Sequence, residues 1–260
     1  MNIEPFQTND STVKQAAKVM LVGHQGSGKT TAIADFYETY GAGLVLSGES
    51  GLSSISHLPI DYLPFGSFDR PNKAGKYTFM DLVKYVSSDA FKAKGYKWIA
   101  LDSATELSQR CFADVEKEFE GSANGFEKWG AYERKITAAL KWIRDLETNV
   151  LITCLAAEET DDNGATQYWP MLVQKKVQKL APALYDHVFC LVRKTQEDDG
   201  RLKVTRHLIC DIVHGWHGKS RDPHRRLKPV ENTDKVTDLL ARIYMTEDEF
   251  KKAQKEGVSK

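Results

Sequence analysis

The chain has 260 residues, 41% hydrophobic and 28% charged, a balance that suits one sizeable globular α/β domain. Its 36 basic and 36 acidic residues cancel, which argues against a strong global attraction to nucleic acid. No apolar run approaches the roughly 18 residues of a membrane helix, so nothing is expected to span a membrane.

The opening MNIEPFQTNDSTVKQ is polar and carries an early acid, unlike a signal peptide. Four scattered cysteines (Cys111, Cys154, Cys190, Cys210) form no C-x-x-C pair, and a reducing cytoplasmic setting is the expectation. The first regular element is a short apolar strand at 18–22, and it runs directly into GHQGSGKT. Gly23, Gly28, Lys29 and Thr30 satisfy G-x-x-x-x-G-K-[ST], the phosphate-binding P-loop pattern, and a helix-like segment at 30–40 follows. In such a loop successive backbone N–H groups and the helix N-terminus face phosphate oxygens. Gly26, Ser27, Gly28, Lys29 and Thr30 would line it, with Thr31 next in the chain. Lys29 is expected to reach the β- and γ-phosphates of ATP, and the Thr30 hydroxyl to ligate Mg²⁺.

A second strand is expected at 43–47, ending in LSGESG, and a helix at about 77–91. A third strand at 97–101 leads into Asp102, and a helix follows at 104–118. Phe126, Trp129, Ile136, Leu140 and Ile143 recur at helical spacing and mark one long amphipathic helix. Strands at 149–155 and 187–192 complete the set, with Cys154 and Cys190 as buried thiols inside them. Apolar strands alternating with helices predict a parallel sheet covered on both faces. DDNG at 161–164 is the clearest turn, and the region around it reads as a mobile loop. Weak alternation over 201–213, after EDDGR, reads as a hairpin added to the sheet edge. A helix near 234–244 follows, then a charged tail from 246 to 260 opened by Thr246 and Glu249 in capping-box spacing. Residues 1–245 are thus expected to form a single domain.

An Asp leaving an apolar strand is costly if merely buried, but beside Mg²⁺ it is useful. Asp102 is therefore the expected metal-shell carboxylate, although it or Ser103 would also suit a helix cap. Three glutamates follow strand ends and are candidates to polarise the attacking water: Glu49, Glu106 and Glu158. Glu49 is favoured, held in a tight turn at the carboxyl edge of the sheet where ligands of open α/β sheets bind. The strand at 43–47 intervenes in sequence between the two motif strands. Thr153 or Cys154 would stand near the γ-phosphate.

The order P-loop, LSGESG, WIALDS, LITCLAAEE, QKLAPALYDHV and HGKSRDP resembles the RecA-like ATPases of bacteriophages, and more narrowly their core-only single-strand annealing proteins. The resemblance covers roughly residues 18–240. It implies a RecA-like P-loop fold, ATP and Mg²⁺ as cofactors, and Glu49 as the catalytic base. It further implies a DNA-facing loop at about 159–179, and Lys219 and Arg221 reaching a neighbouring subunit's nucleotide in a homo-oligomeric ring or filament. TCLAAEE lacks the histidine or glutamine that many relatives carry there.

The residues agree in part. Tyr168 and Trp169 beside Lys175, Lys176 and Lys179 combine stacking surfaces with cations, as single-stranded DNA binding requires. Glu158, Glu159, Asp161 and Asp162 oppose it. Residues 201–228 hold eight Lys or Arg, two acids, and four of the seven histidines. Cys210, His214, His217 and His224 are zinc-type ligands, but their spacing matches no common finger. Phosphate recognition explains the arginines better. A small-molecule P-loop kinase with an arginine-rich lid is the competing enzyme class, though lids sit between the fourth and fifth core strands. A nucleotide-gated adaptor without turnover is the non-enzymatic alternative.

Overall fold

The computed structural model of the chain describes residues 16–49, 51–71, 76–121, 125–198 and 201–255. In chain order, β1 (Lys18–Gly23), α1 (Thr31–Tyr40) and β2 (Gly43–Ser47) lead through a short 3-10 turn (Leu52–Ile55) to β3 (Asp61–Ser67) and β4 (Tyr77–Thr78). Then come α2 (Phe79–Val86), α3 (Asp89–Lys94), β5 (Trp98–Asp102), α4 (Ala104–Glu118) and α5 (Gly125–Arg144). The second half runs β6 (Asn149–Thr160), β7 (Thr166–Pro170), α6 (Lys175–Leu184), β8 (His187–Asp198) and β9 (Arg201–Ile209). Four two-residue strands follow: β10 (Ile212–Val213), β11 (Trp216–His217), β12 (Lys219–Ser220) and β13 (Val230–Glu231). Helices α7 (Val236–Tyr244) and α8 (Glu247–Lys255) close the described chain.

The sheet order is β13-β9-β8-β1-β6-β5-β2-β3-β4. Every pairing from β8 to β4 is parallel, and β9 and β13 extend the β8 edge antiparallel. Successive residues of a strand face opposite sides, and each side needs its own apolar cover. Val19 and Leu21 join Ala100, Leu151, Phe189 and the apolar faces of α1 and α7 (Ile33, Phe36, Leu239, Ile243). Met20 and Val22 join Leu101 and Ile152 beneath α2, α4, α5 and α6 (Phe79, Leu107, Ile136, Val177). A parallel sheet sandwiched between helices is the architecture that the alternating pattern predicts.

Several local expectations are corrected. The helix expected over 77–91 is two helices preceded by an edge strand. The Thr78 hydroxyl accepts from Asp81 N in a capping box, and Ser88 starts α3 by accepting from Phe91 N. β3 escapes the sequence pattern because it carries Pro64, which lacks a ladder donor. Near the DDNG turn the chain forms an ordered antiparallel ladder of β6 with β7, from Ala156 opposite Pro170 to Thr160 opposite Thr166. The last five residues of the expected DNA loop, 175–179, open helix α6, hidden in the sequence by Pro182 in its last turn. Phe126, assigned to the apolar face of the long helix, is 90% exposed; burial in α5 begins at Ala131. The strand of Thr153 and Cys154, β6, does lie between β1 and β5 as expected, and the 43–47 strand lies on the far side of β5.

The hairpin expected over 201–213 is β8 with β9, while residues 199–200 of its turn lie outside the described residues. So do the polar N-terminal stretch and the last five residues. The capping box at Thr246 is present, its hydroxyl accepting from Glu249 N at 3.3 Å. The tail it opens is anchored: buried Arg226 donates to Arg242 O at 2.9 Å, pairs with Glu247 at 3.1 Å and lies over the Phe250 ring. No helix among the described residues is long and apolar enough to cross a membrane.

Candidate nucleotide site

The sheet gathers the carboxyl ends of β1, β6, β5 and β2 side by side, and most of the predicted residues stand on them. At the end of β1 the loop turns through Gly26 at φ 72 and Gly28 at φ 107, left-handed values that a Cβ disfavours. Ser27 N donates to His24 O at 3.2 Å, closing the turn, and Ala32 N donates to Gly28 O at 3.1 Å as α1 begins. The Lys29 ammonium folds back on its own loop, 2.9 Å from both Gly23 O and His24 O. Burial lowers its pKa, against the raising influence of Cys154, Glu49 and Asp102.

Asp102 is 2% exposed at the end of β5. Thr30 Oγ1 donates to its Oδ2 at 3.2 Å, and Thr153 Oγ1, from the intervening β6, donates to its Oδ1 at 2.5 Å. Burial pushes the carboxyl above its ordinary value, and the nearby Glu49 charge adds to that, while the two hydroxyls and Lys29 oppose it. The helix cap is Ser103, whose hydroxyl accepts from Glu106 N at 3.3 Å, so Asp102 is left for the site. The peptide between Asp102 and Ser103 is cis.

The three glutamates separate by surroundings. Gly48 N and Glu49 N both approach Asp102 O, at 2.8 and 3.4 Å, and the Ser103 hydroxyl donates to Glu49 Oε1. Glu49 is thereby placed beside Asp102 while staying exposed. Glu106 is engaged by Arg110 at 2.7 Å, which also donates to Gly48 O. Glu158 stands 3.8 Å from the His24 imidazole. Cys154, the other γ-phosphate candidate, is fully buried and lies 3.3 Å from the Thr105 hydroxyl.

Lys219 and Arg221 do not join this group. β12 pairs with β8 so that Lys219 stands opposite Val188 and Ser220 opposite His187, and His187 in turn aligns with Val19 at the start of β1. Arg221 pairs with Asp186 at 2.9 Å, next to Lys18, at the sheet edge opposite the phosphate loop. Of the two roles open to these residues, in cis or across a subunit boundary, the cis one finds no support in this topology.

One cation was not legible in the sequence. Arg206 on β9 donates Nε to Ser27 O at 3.0 Å and lies against Gly28, with Asp234 at 3.9 Å. Only the antiparallel return of β9 over β8 brings it there.

The arrangement fits a nucleoside triphosphate with Mg²⁺. The loop has its glycine backbone, and among the described residues the Lys29 ammonium donates to loop carbonyls. The buried Ser27 hydroxyl has no partner among the described residues, and a hydroxyl–carboxylate pair occupies the metal position. Thr30 and Asp102 would hold the metal. Among the described residues no His, Cys, Asp and Glu cluster suits another metal ion.

The expected DNA surface is rearranged. Tyr168 is stacked on Trp216 at 4.3 Å and Trp169 on His217 at 3.6 Å, so aromatic faces assigned to bases are taken by neighbours. Lys175 pairs with Glu159 and Lys176 with Glu133. Lys179, over the Trp169 ring, instead borders a groove of about 760 Å³ that also holds Lys219, Arg225 and Lys228. The acids in that groove are occupied by backbone: Asp222 accepts from His224 N and Leu227 N, and Asp211 from Ile212 N.

A parallel sheet with this strand order, a phosphate loop after β1 and a carboxylate one strand removed on β5 define a RecA-like P-loop NTPase. Residues 15–222 match the family model of the AAA domain, and the chain belongs to that family. No curated protein matches its sequence. Among solved structures, a KaiC-like protein of the hyperthermophilic archaeon Pyrococcus horikoshii OT3 is similar at 16% identity. The likeness covers 74% of this chain and 77% of that one, with a TM-score of 0.41.

Proposed function

We propose that the protein is a Mg²⁺-dependent ATPase that turns over slowly and acts on single-stranded DNA, in recombination or annealing of the kind phages encode. The observation that carries the ATPase reading is the convergence of Lys29, Thr30, Asp102 and Glu49 at one sheet edge. Lys29 leaves its loop carbonyls for phosphate oxygens, where its charge offsets that developing on the γ-phosphate. Mg²⁺, which Thr30 and Asp102 would hold, would supply charge neutralisation at the phosphates. Asp102, held by the Thr153 hydroxyl, would stand in the metal shell beside Thr30. Glu49 accepts the proton of the attacking water, its carboxylate steadied by the Ser103 hydroxyl.

The DNA reading is supported by the cationic groove of Lys179, Lys219, Arg225 and Lys228, in a chain of zero net charge. Phosphate contacts of this kind weaken steeply as salt rises. Arg221, remote from its own phosphate loop and outside that groove, acts on a neighbour's nucleotide in a homo-oligomer.

A second reading rests on a pocket of about 550 Å³ beside Glu49, lined by Ser47, Leu52, Ile55, Ile60 and Tyr62. It would seat the acceptor of a small-molecule kinase.

The test measures ATP turnover with and without single-stranded DNA, beside a panel of phosphate acceptors. Stimulation by DNA is expected, and Lys29→Ala should abolish nucleotide binding or turnover. Unchanged affinity and rate in Lys29→Ala would sink the ATPase assignment, and a phosphorylated acceptor would favour the kinase. Mixing Lys29→Ala with Arg221→Ala subunits should restore part of the activity if the site is shared, and absence of rescue counts against sharing.

A further inference from the structure

The second residue of the phosphate loop has contacts that phosphate binding does not explain. The His24 imidazole meets the Tyr168 ring edge-on at 5.4 Å and the Trp216 ring edge-on at 5.2 Å. Its Nε2 is 3.8 Å from Glu158 Oε1. These three partners sit on β7, β11 and β6, beyond the carboxyl end of the core strands.

They are joined by strand pairing and ring stacking. Tyr168 and Trp216 are register partners in the parallel β7–β11 pair and stack at an interplanar angle of 15°. Tyr168 N donates to Gly215 O at 2.8 Å, and Glu158 lies opposite Tyr168 in the β6–β7 ladder. The two segments approach so closely that a Cβ on Gly215 would fall 2.0 Å from Thr166 O.

The backbone of the same histidine faces the nucleotide chemistry. His24 O accepts from the Lys29 ammonium at 2.9 Å and from Ser27 N at 3.2 Å. An ammonium has three donors, and two are spent on Gly23 O and His24 O. Engaging the β- and γ-phosphates draws Lys29 away from these carbonyls and leaves His24 O with the Ser27 amide alone.

We infer that His24 is a positioning residue that couples phosphate occupancy to the β6–β7 ladder and β11, with Lys29 as input and the Tyr168–Trp216 stack as output. β11 is followed within two residues by Lys219, and β7 ends next to Trp169, so the output borders the cationic groove. This inference rests on the nucleotide reading above. It gives the loop a sensor of its own, in a chain whose TCLAAEE segment has neither histidine nor glutamine.

The experiment is amide hydrogen exchange on the full chain with and without saturating Mg²⁺ and a slowly hydrolysed ATP analogue. Nucleotide binding is followed separately by calorimetry. In the parent, exchange at residues 167–169 and 215–217 should change about fivefold or more on nucleotide addition. In His24→Ala that response should vanish at saturating nucleotide. Tyr168→Ala, which removes one of the two rings against His24, should still bind nucleotide by calorimetry and lose the response at 215–217. His24→Phe, which keeps a ring against the stack, should retain most of it. A parental response in His24→Ala, or no response in a parent that calorimetry shows to bind nucleotide, overturns the coupling alone. Absence of nucleotide binding by the parent overturns the coupling together with the ATPase reading.

Discussion

Replacing Thr153 by valine tests whether Asp102 is held for metal or merely tolerated. Thr153 is 0% exposed, and its hydroxyl donates to Asp102 Oδ1 at 2.5 Å, while the Asp102 carboxylate is itself 2% exposed. Valine keeps the shape and removes only the donor. A hydrogen bond to a charged group contributes a net of about 1.5–3 kcal/mol, and no water can enter this position to restore it. The upper half, about 2–3 kcal/mol, is therefore expected as lost unfolding free energy. Thr30→Val provides the contrast: its hydroxyl is part-buried and donates to the same carboxylate at 3.2 Å, so the stability loss should stay below about 1 kcal/mol. Turnover should respond in the opposite order, because Thr30 is a proposed metal ligand and Thr153 only orients Asp102. Urea denaturation without nucleotide, followed by ATP turnover across a magnesium titration, measures both. The reasoning is refuted if Thr153→Val unfolds within about 0.5 kcal/mol of the parent, or if the two variants lose equal stability.

Glu49→Gln should retain nucleotide binding and stop hydrolysis. Glu106→Gln should weaken the pairing with Arg110 and leave turnover largely intact, and the reverse pattern in a paired turnover assay would move the base to Glu106. His187, 0% exposed between Ser220 and Tyr244, has its pKa lowered by burial from 6.5 to about 4. A depressed histidine contributes stability that is present above pH 6.5 and lost as pH falls towards 4, about 3 kcal/mol in all, and His187→Asn should flatten that slope in denaturation measured from pH 7 to 4.5. Asp114, 3% exposed, accepts from the backbone N–H groups of Phe68, Asp69 and Arg70. Asp114→Ala orphans these donors and should cost about 3 kcal/mol or more, read as a lowered thermal midpoint with nucleotide affinity unchanged.

The sequence by itself determined the phosphate loop, because its eight positions are contiguous and no other fold element needs that lysine. It also determined the core strands, since a strand covered on both faces must be apolar throughout, as Val19–Val22 and Trp98–Leu101 are. Asp102 was legible for the same reason, as a charge at the exit of such a run. Segments whose local signal conflicts with their surroundings were not legible: β3 with Pro64, α6 with Pro182, and β7, whose pairing with β6 orders what reads as loop. Which glutamate stands by Asp102, that Arg206 meets Ser27 from 179 positions away, and that Lys219 and Arg221 lie at the opposite edge of the sheet emerge from the folded arrangement alone. Those contacts depend on strand order and register, and many arrangements of the same apolar strands satisfy the local pattern equally well. His24 shows the division within one residue: its place in the loop follows from the motif, while its partners on β6, β7 and β11 follow from how the chain returns over the site.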